Sequence, residues 1–291
     1  MKTKLLFGIF SALVFTSCSE DGSEMPSDAV QNLVRTEMFS PSLDAYQSNA
    51  ENSTKRIVYY DENHVVADST FDPTGNLLKW QIHEYTNLMH VTTYRATDLF
   101  GERKVAKVFD AEGRLIEIHW TSLDSASPLN PQLHYGITYH SDGSITIDLV
   151  DLDNVYDYFP VTTMETNVQG LIYKVSHDDS HTLITWDDTK PVSSKFFNGI
   201  EYFPDQVNTF YTVPKPANLH KSIIELRNTM IFNGYEDQDF PDLMNHYALN
   251  TAGTLNYERT FNALNYQTYC KATGTLNGDL PFDSETFFYY E

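Results

Sequence analysis

The chain has 291 residues, with 19 Lys+Arg against 40 Asp+Glu and a formal net charge of −21. So acidic a surface repels phosphate backbones, which argues against nucleic acid as a partner, and it gives no charge attraction to an anionic membrane. Aromatic residues make up 14%, enough to fill a core and too many for a disordered chain.

The first 17 residues read as a signal peptide. Lys2 and Lys4 give the basic start, and Leu5–Phe15 is an apolar run too short to span a bilayer stably. The run ends in Phe15-Thr16-Ser17-Cys18, which resembles the lipobox of bacterial lipoproteins. That resemblance implies acylation of Cys18. The acidic run Ser19–Glu24 that follows is similar to the surface-export signal of lipoproteins in the Bacteroidota. Together they imply an outer-membrane, lipid-anchored protein on the cell surface, since several acyl chains anchor durably. Residues 18–54 are rich in Ser, Asp, Glu and Asn and read as the lipidated Cys and a tether. Within them Val30–Phe39 has the apolar content for a short helix or a docking strand. Cys270 is the only other cysteine. With Cys18 acylated no intrachain disulfide can form, and Cys270 reads as a small buried apolar residue.

From residue 55 to 291 the pattern is β-rich. A phrase recurs: a large residue, then Asp or Asn, two free positions, Gly, then an aliphatic residue. Copies are Tyr60–Val66, with His64 in the Gly place, Phe71–Leu77, Phe109–Leu115, Tyr139–Ile145, Thr166–Ile172, Leu249–Leu255 and a weaker Cys270–Leu276. Asp suits the first position of a type I turn, and Gly the position that needs positive φ. Each copy predicts a hairpin ending in a Gly bulge. The flanks alternate: Leu78, Trp80 and Ile82 oppose Lys79, Gln81 and His83, while Ile145, Ile147 and Leu149 oppose Ser144, Thr146 and Asp148. This predicts an all-β fold, an antiparallel meander of hairpins forming a long twisted sheet able to curl toward a barrel. The uneven spacing of the copies excludes a strict solenoid. Residues 187–245 hold Pro191, Pro204, Pro214, Pro216 and Pro241 and read as an irregular loop or cap with one or two strands. Ser222–Phe232 fits either a strand or a short helix.

The phrase aromatic-Asp-x-x-Gly-x-Leu is similar to YD (Rhs-type) repeats. Taken with the acidic lipoprotein start, Pro214–Leu219 and the aromatic C-terminus, residues 55–291 resemble uncharacterised Bacteroidota surface lipoproteins. The chain lacks the length and regular period of true YD arrays, so an Rhs-like shell is not expected.

Candidate chemistry is sparse. His177-Asp178-Asp179-Ser180-His181 could bind a metal but suits a hairpin turn. Asp151 and Asp153 share one strand face and could hold a loose metal site. The EF-hand pattern fails there, since Tyr156 and Thr162 stand at the sixth and twelfth positions from Asp151. Trp80 and Trp120 fall on the apolar side of their strands and are expected in the core. Trp186, followed by Asp187 and Asp188, is the candidate ligand-binding rim. Asp68-Ser69-Thr70 and Asp124-Ser125-Ala126 resemble the short O-glycosylation motif of exported Bacteroidota proteins, with Ser69 and Ser125 as acceptors. No nucleophile elbow, zincin helix, phosphate loop or Cys/His pair stands in its required context. The reading is a membrane-anchored, non-catalytic binding module without a cofactor, whose partner is a glycan or a protein. The alternatives are a glycan-binding accessory protein and a hydrolase acting on glycans.

Overall fold

The computed structural model describes residues 30–41, 53–62, 64–96, 102–122, 133–150, 161–236, 245–251, 254–276 and 280–291. Among them run nineteen strands in one sheet. The first nine are β1 (Leu33–Pro41), β2 (Ser53–Asp61), β3 (His64–Phe71), β4 (Leu77–Thr86), β5 (Met89–Ala96), β6 (Glu102–Phe109), β7 (Leu115–Ser122), β8 (Leu133–Tyr139) and β9 (Ser144–Leu149). Then come β10 (Thr162–Thr166), β11 (Ile172–His177), β12 (Ser180–Asp187), β13 (Lys190–Phe197), β14 (Gln206–Val207) and β15 (Thr209–Pro214). A helix, α1 (Ile223–Glu236), precedes β16 (His246–Thr251), β17 (Leu255–Phe261), β18 (Gln267–Leu276) and β19 (Leu280–Tyr290).

Each strand pairs antiparallel with its sequence neighbour, and β1 pairs with both β2 and β19. β14 pairs with β13, and β15 pairs with β16. The segment 206–214 thus bends from one neighbour to the other and nearly closes the ring. The expected meander curls into a barrel-like sheet. Its wall begins at β1, so the docking-strand reading of Val30–Phe39 is the one observed.

The recurrent phrase builds its turns by one hydrogen-bond set. At Asp110 the side-chain Oδ1 accepts from the N–H of Glu112 (3.0 Å) and of Arg114 (2.8 Å). Gly113 N–H donates to Asp110 O, and Asp110 N–H to Arg114 O, both at 3.0 Å. Gly113 has φ of 79°, the left-handed region that a Cβ disfavours. Asp72 and Asn167 repeat this set. Two copies differ from expectation. In Tyr60–Val66 the left-handed residue is Glu62, with φ of 46°, and His64 pairs with Asp61 in the ladder. In Cys270–Leu276, Gly274 lies inside β18, where a Cβ would stand 1.8 Å from Thr254 O. Close backbone approach, not a turn, explains that glycine.

Because successive pairs are antiparallel neighbours, turns alternate between the two ends of the barrel. One end carries the turns at 87–88, 110–113, 140–143, 167–170, 188–189 and 262–265, together with α1 and both ends of the described wall. The other carries the turns at 72–75, 178–179 and 198–199. α1 closes the first end. Leu226, Met230 and Ile231 are buried in one cluster with Val105, Leu115, Ile118, Tyr135, Ile137, Ile145, Ile147, Met164, Leu171 and Ile172. Asn228 clips the helix to the β6–β7 turn: its Oδ1 accepts from Leu115 N–H at 3.0 Å, and its Nδ2 donates to Gly113 O at 2.7 Å. The helix begins on a capping box, with Ser222 N–H donating to Glu225 Oε2 (2.7 Å) and Glu225 N–H to Ser222 Oγ (3.2 Å). A second cluster joins Ala248, Leu255, Tyr257, Cys270 and Ala272, and Cys270 is buried as expected.

Within residues 187–245, β13 to β15 are wall strands, and the described stretch Lys215–Glu236, with α1, leaves the wall.

The register sorts side chains by face. His83, Thr92, Val105, Trp120 and Leu133 form one cross-strand row on the inner face. Ile82, Thr93, Lys104 and Thr121 form the next row, facing out. Trp120 is inward as predicted. Trp80 is not: it pairs with Ser69 and shares the outer face with Ile82. The alternation in β4 was read correctly, but its polar set, His83 among it, is the one that faces in. The outer face carries ion pairs around the ring. Glu37 lies 3.1 Å from Lys55, Glu165 2.7 Å from Lys174, and Lys271 3.6 Å from Asp283.

Candidate functional site

Among the described residues, an exposed aromatic surface lies on the hairpin that extends β13 at the end opposite α1. Asn198-Gly199 makes its turn: Asn198 Oδ1 accepts from Ile200 N–H (3.0 Å) and Glu201 N–H (2.9 Å), and Gly199 has φ of 89°. Phe197 bridges to Tyr202, and Phe203 N–H donates to Phe196 O at 2.8 Å. A hairpin that protrudes cannot bury both of its faces, so its side chains meet water. Phe196 is 43% exposed, Ile200 87%, Tyr202 49% and Phe203 45%.

The rings nevertheless touch one another. Phe196 and Phe203 have centroids 5.6 Å apart, Phe197 and Tyr202 4.9 Å, and His181 and Phe197 5.1 Å. Polar groups rim them. His181 Nε2 lies 3.1 Å from Tyr202 Oη. Lys195 Nζ stands 5.2 Å from the Tyr202 ring centroid and 3.1 Å from Asp205 Oδ1. Strand alternation sets these rings on opposite faces of the hairpin, Phe196 with Phe203 on one and Phe197 with Tyr202 and His181 on the other; exposed rings grouped with polar edges mark a binding surface better than scattered single side chains do.

A second polar cluster faces the interior. His83 Nδ1 lies 3.1 Å from His90 Nε2, and Thr92 Oγ1 lies 3.1 and 3.3 Å from the two rings. Tyr85 stacks on His90 with centroids 4.2 Å apart. Burial first, then the charges of Lys107 and His83, push the His90 imidazole down to about 3. Burial likewise lowers His83 and raises the Tyr85 phenol to about 12. Burial thus favours the neutral form of each. Beside them the buried Asp68 carboxylate accepts from Arg56 Nε at 2.8 Å, and Arg56 Nη2 donates to the same oxygen. The ring nitrogens facing Thr92 are hydrogen-bonded, while His83 Nε2 is buried without a hydrogen-bond partner.

The sequence-predicted residues are dispersed. Trp186 faces the first core, half-buried, and its Nε1 donates to Ile172 O at 2.8 Å. Asp187 is exposed, 3.8 Å from Lys190, and Asp188 forms the β12–β13 turn with φ of 55°. The three lie at the end closed by α1, away from the aromatic hairpin. His177–His181 is a hairpin turn, with Ser180 Oγ donating to His177 O at 2.8 Å, and His181 joins the aromatic patch. Ser69 sits mid-strand on the outer face of β3, half-buried between Ile57 and Trp80. Cys18, Ser125, Asp151 and Asp153 lie outside the described residues.

The aromatic hairpin had a readable signal. Phe196-Phe197-Asn198-Gly199 joins two rings to an Asn-Gly turn, the strongest short-range hairpin mark, and Tyr202-Phe203 return across it. The inner histidines gave none, because His83 and His90 become neighbours only through the β4–β5 register.

No protein-family model matches the chain, and no curated protein matches it. Among solved structures the chain is similar to a porin-like protein from Bacteroides uniformis ATCC 8492. The identity is 12%, the match covers 89% of this chain and 98% of that one, and the TM-score is 0.47.

Proposed function

We propose that this protein is a non-catalytic binding module, tethered to the outer membrane through Cys18, whose barrel stands in water and presents the Lys195–Val207 hairpin to its partner. The observation that carries the reading is the group of Phe197, Tyr202 and His181 on one face of this hairpin, with Phe196 and Phe203 paired on its other face, at the end opposite α1. Geometry supports the orientation. Gln31 and Asn32 leave the barrel at the end closed by α1, where Gln31 N–H donates to Tyr266 Oη (3.0 Å) and Asn218 Nδ2 to Gln31 O (3.0 Å). A tether from Cys18 draws that end to the membrane and turns the aromatic hairpin outward.

A barrel that crosses a membrane needs an apolar outer band, and each Lys or Arg facing lipid at mid-depth costs roughly 2–4 kcal/mol. The outward pairs Glu37–Lys55, Glu165–Lys174 and Lys271–Asp283 support a wall that faces water and is held at the membrane by its anchor.

A glycan is the occupant favoured by the polar rim: Tyr202, His181, Lys195 and Asp205 set hydrogen-bonding groups at the edges of ring faces that suit sugars. The test is a polysaccharide array and capture from outer-membrane extracts, run with the full chain and with Tyr202→Ala/Phe203→Ala. Binding should fall at least tenfold in the double variant. Equal binding by both proteins, or none by the native chain on either panel, would overturn the reading. Cys18→Ala should move the protein from the membrane pellet to the supernatant, and continued pelleting would sink the anchor.

A further inference from the structure

Glu117, His119 and His134 form a cluster on the outer wall, far from the aromatic hairpin. Its origin lies in strand alternation. Ile118 and Trp120 of β7 face in, so Glu117 and His119 face out, two residues apart on one face. Tyr135 and Ile137 of β8 also face in, so His134 faces out. The register pairs His119 with His134 directly and sets Glu117 opposite Gly136. With no side chain at Gly136, the Glu117 carboxylate has room to lean over the histidine pair.

The three donor atoms lie within 4.8 Å of one another. Glu117 Oε2 is 2.7 Å from His119 Nε2 and 3.5 Å from His134 Nε2. The rings stack at 4.1 Å with 16° between their planes. His134 Nε2 is shielded from solvent and makes no hydrogen bond; it points into the cluster toward the Glu117 carboxylate. Among the described residues this is the one group of three such ligating side chains.

We propose that Glu117, His119 and His134 bind a divalent transition-metal ion of the zinc class. Two imidazoles and one carboxylate select such ions over Mg²⁺ or Ca²⁺, which prefer oxygen alone. Ligand bonds of about 2.0–2.2 Å place tetrahedral donors about 3.3–3.6 Å apart; the Glu117–His134 spacing of 3.5 Å already fits, and the Glu117–His119 spacing of 2.7 Å must open slightly. The stacked rings need only turn about χ2 to bring both nitrogens onto one ion, and both lie near the surface, where that motion is cheap. Three protein ligands leave at least one position open to water or an outside donor. Asp148, across Gly136 in the same outer row, adds negative charge that favours a cation.

The test uses the full chain with Co²⁺ and Zn²⁺ as probes. One Co²⁺ per chain should give visible ligand-field bands, and Zn²⁺ should displace it. Glu117→Gln and His134→Gln, both mild changes on the outer wall, should each weaken Zn²⁺ binding at least tenfold and abolish the Co²⁺ bands. His140→Ala, a turn histidine outside the cluster, should change neither. Circular dichroism should show all variants folded, and Zn²⁺ should raise the Tm of the native chain but not of the two Gln variants. Absence of the bands in the native chain, or binding equal in native and Gln variants, would overturn the proposal.

Discussion

Replacing Leu226 by Ala tests whether α1 is part of the core or merely lies against the barrel. Leu226 is 0% exposed and packs among inward residues of β7 to β11. Losing its branched end forfeits about 2.4 kcal/mol of transfer free energy at ~0.8 kcal/mol per carbon. A cavity term adds to this, because the strands are tied into the ring and cannot collapse onto the gap. The total is about 3–4 kcal/mol. With a urea slope of about 3 kcal/mol/M for a chain of this size, the midpoint should fall by about 1 M. Tryptophan fluorescence is the assay, since Trp120 and Trp186 both pack on this cluster. Leu226→Met, which keeps the volume, should cost less than about 1.5 kcal/mol. A midpoint for Leu226→Ala within about 0.2 M of the native value would refute the buried-helix account.

Asn228→Ala should cost about 1–3 kcal/mol, because it strands the Leu115 N–H next to the core, and hydrogen exchange at that amide should rise with it. Asp68→Asn removes the charge that Arg56 faces; with the Arg56 side chain 46% exposed, the loss should be only about 1–3 kcal/mol in urea melts. His90 is neutral in the fold down to about 3 but protonates near 6.5 when unfolded. The unfolded state then binds more protons, so stability falls as pH drops from about 6.5 toward about 3; His90→Gln should flatten that slope across urea melts at several pH values. Asp72 is pulled to about 2 by hydrogen bonds from Asn76 and Thr74, so its support of the turn is complete above about pH 4 and lost as pH falls through about 2. Carboxyl-carbon NMR titration reads this directly, and an Asp72 midpoint near 4 would contradict the turn geometry.

Turns and strand alternation were legible because they are local. Asp110 and Asn167 make the hydrogen bonds that their spacing implies, and Gly113 takes the positive φ. The turn at Asn262 lacks the glycine signal because Asn265, with φ of 65°, takes the glycine position; asparagine tolerates that geometry. The helix was undecided from its periodicity, although Ser222-Ile223-Ile224-Glu225 carried a capping box. Trp80 was placed inside on the rule that apolar faces turn inward. The rule fails where the inner face carries the Arg56–Asp68 pair and the His83–His90–Thr92 hydrogen bonds. Cross-strand neighbours such as His119 and His134 depend on a register that alternation does not set. The candidate surfaces were therefore less readable than the scaffold that holds them.

The seam between β1 and β19 has a consequence for how the ring assembles. Most wall pairs join strands adjacent in sequence, so the sheet can grow hairpin by hairpin from local contacts, the fast regime for β topologies. The β1–β19 seam joins opposite ends of the wall, with a chain-closure cost of about 5 kcal/mol for a loop of roughly 250 residues, before constants. It is finished by a reciprocal pair of bonds, Asn32 N–H to Glu291 O at 2.9 Å and Glu291 N–H to Asn32 O at 3.0 Å. Until it forms, β1 and β19 are two free edges, each a template for a foreign strand. Closure of this seam covers both of those edges, and a chain cut short before β19 would leave the β1 edge exposed.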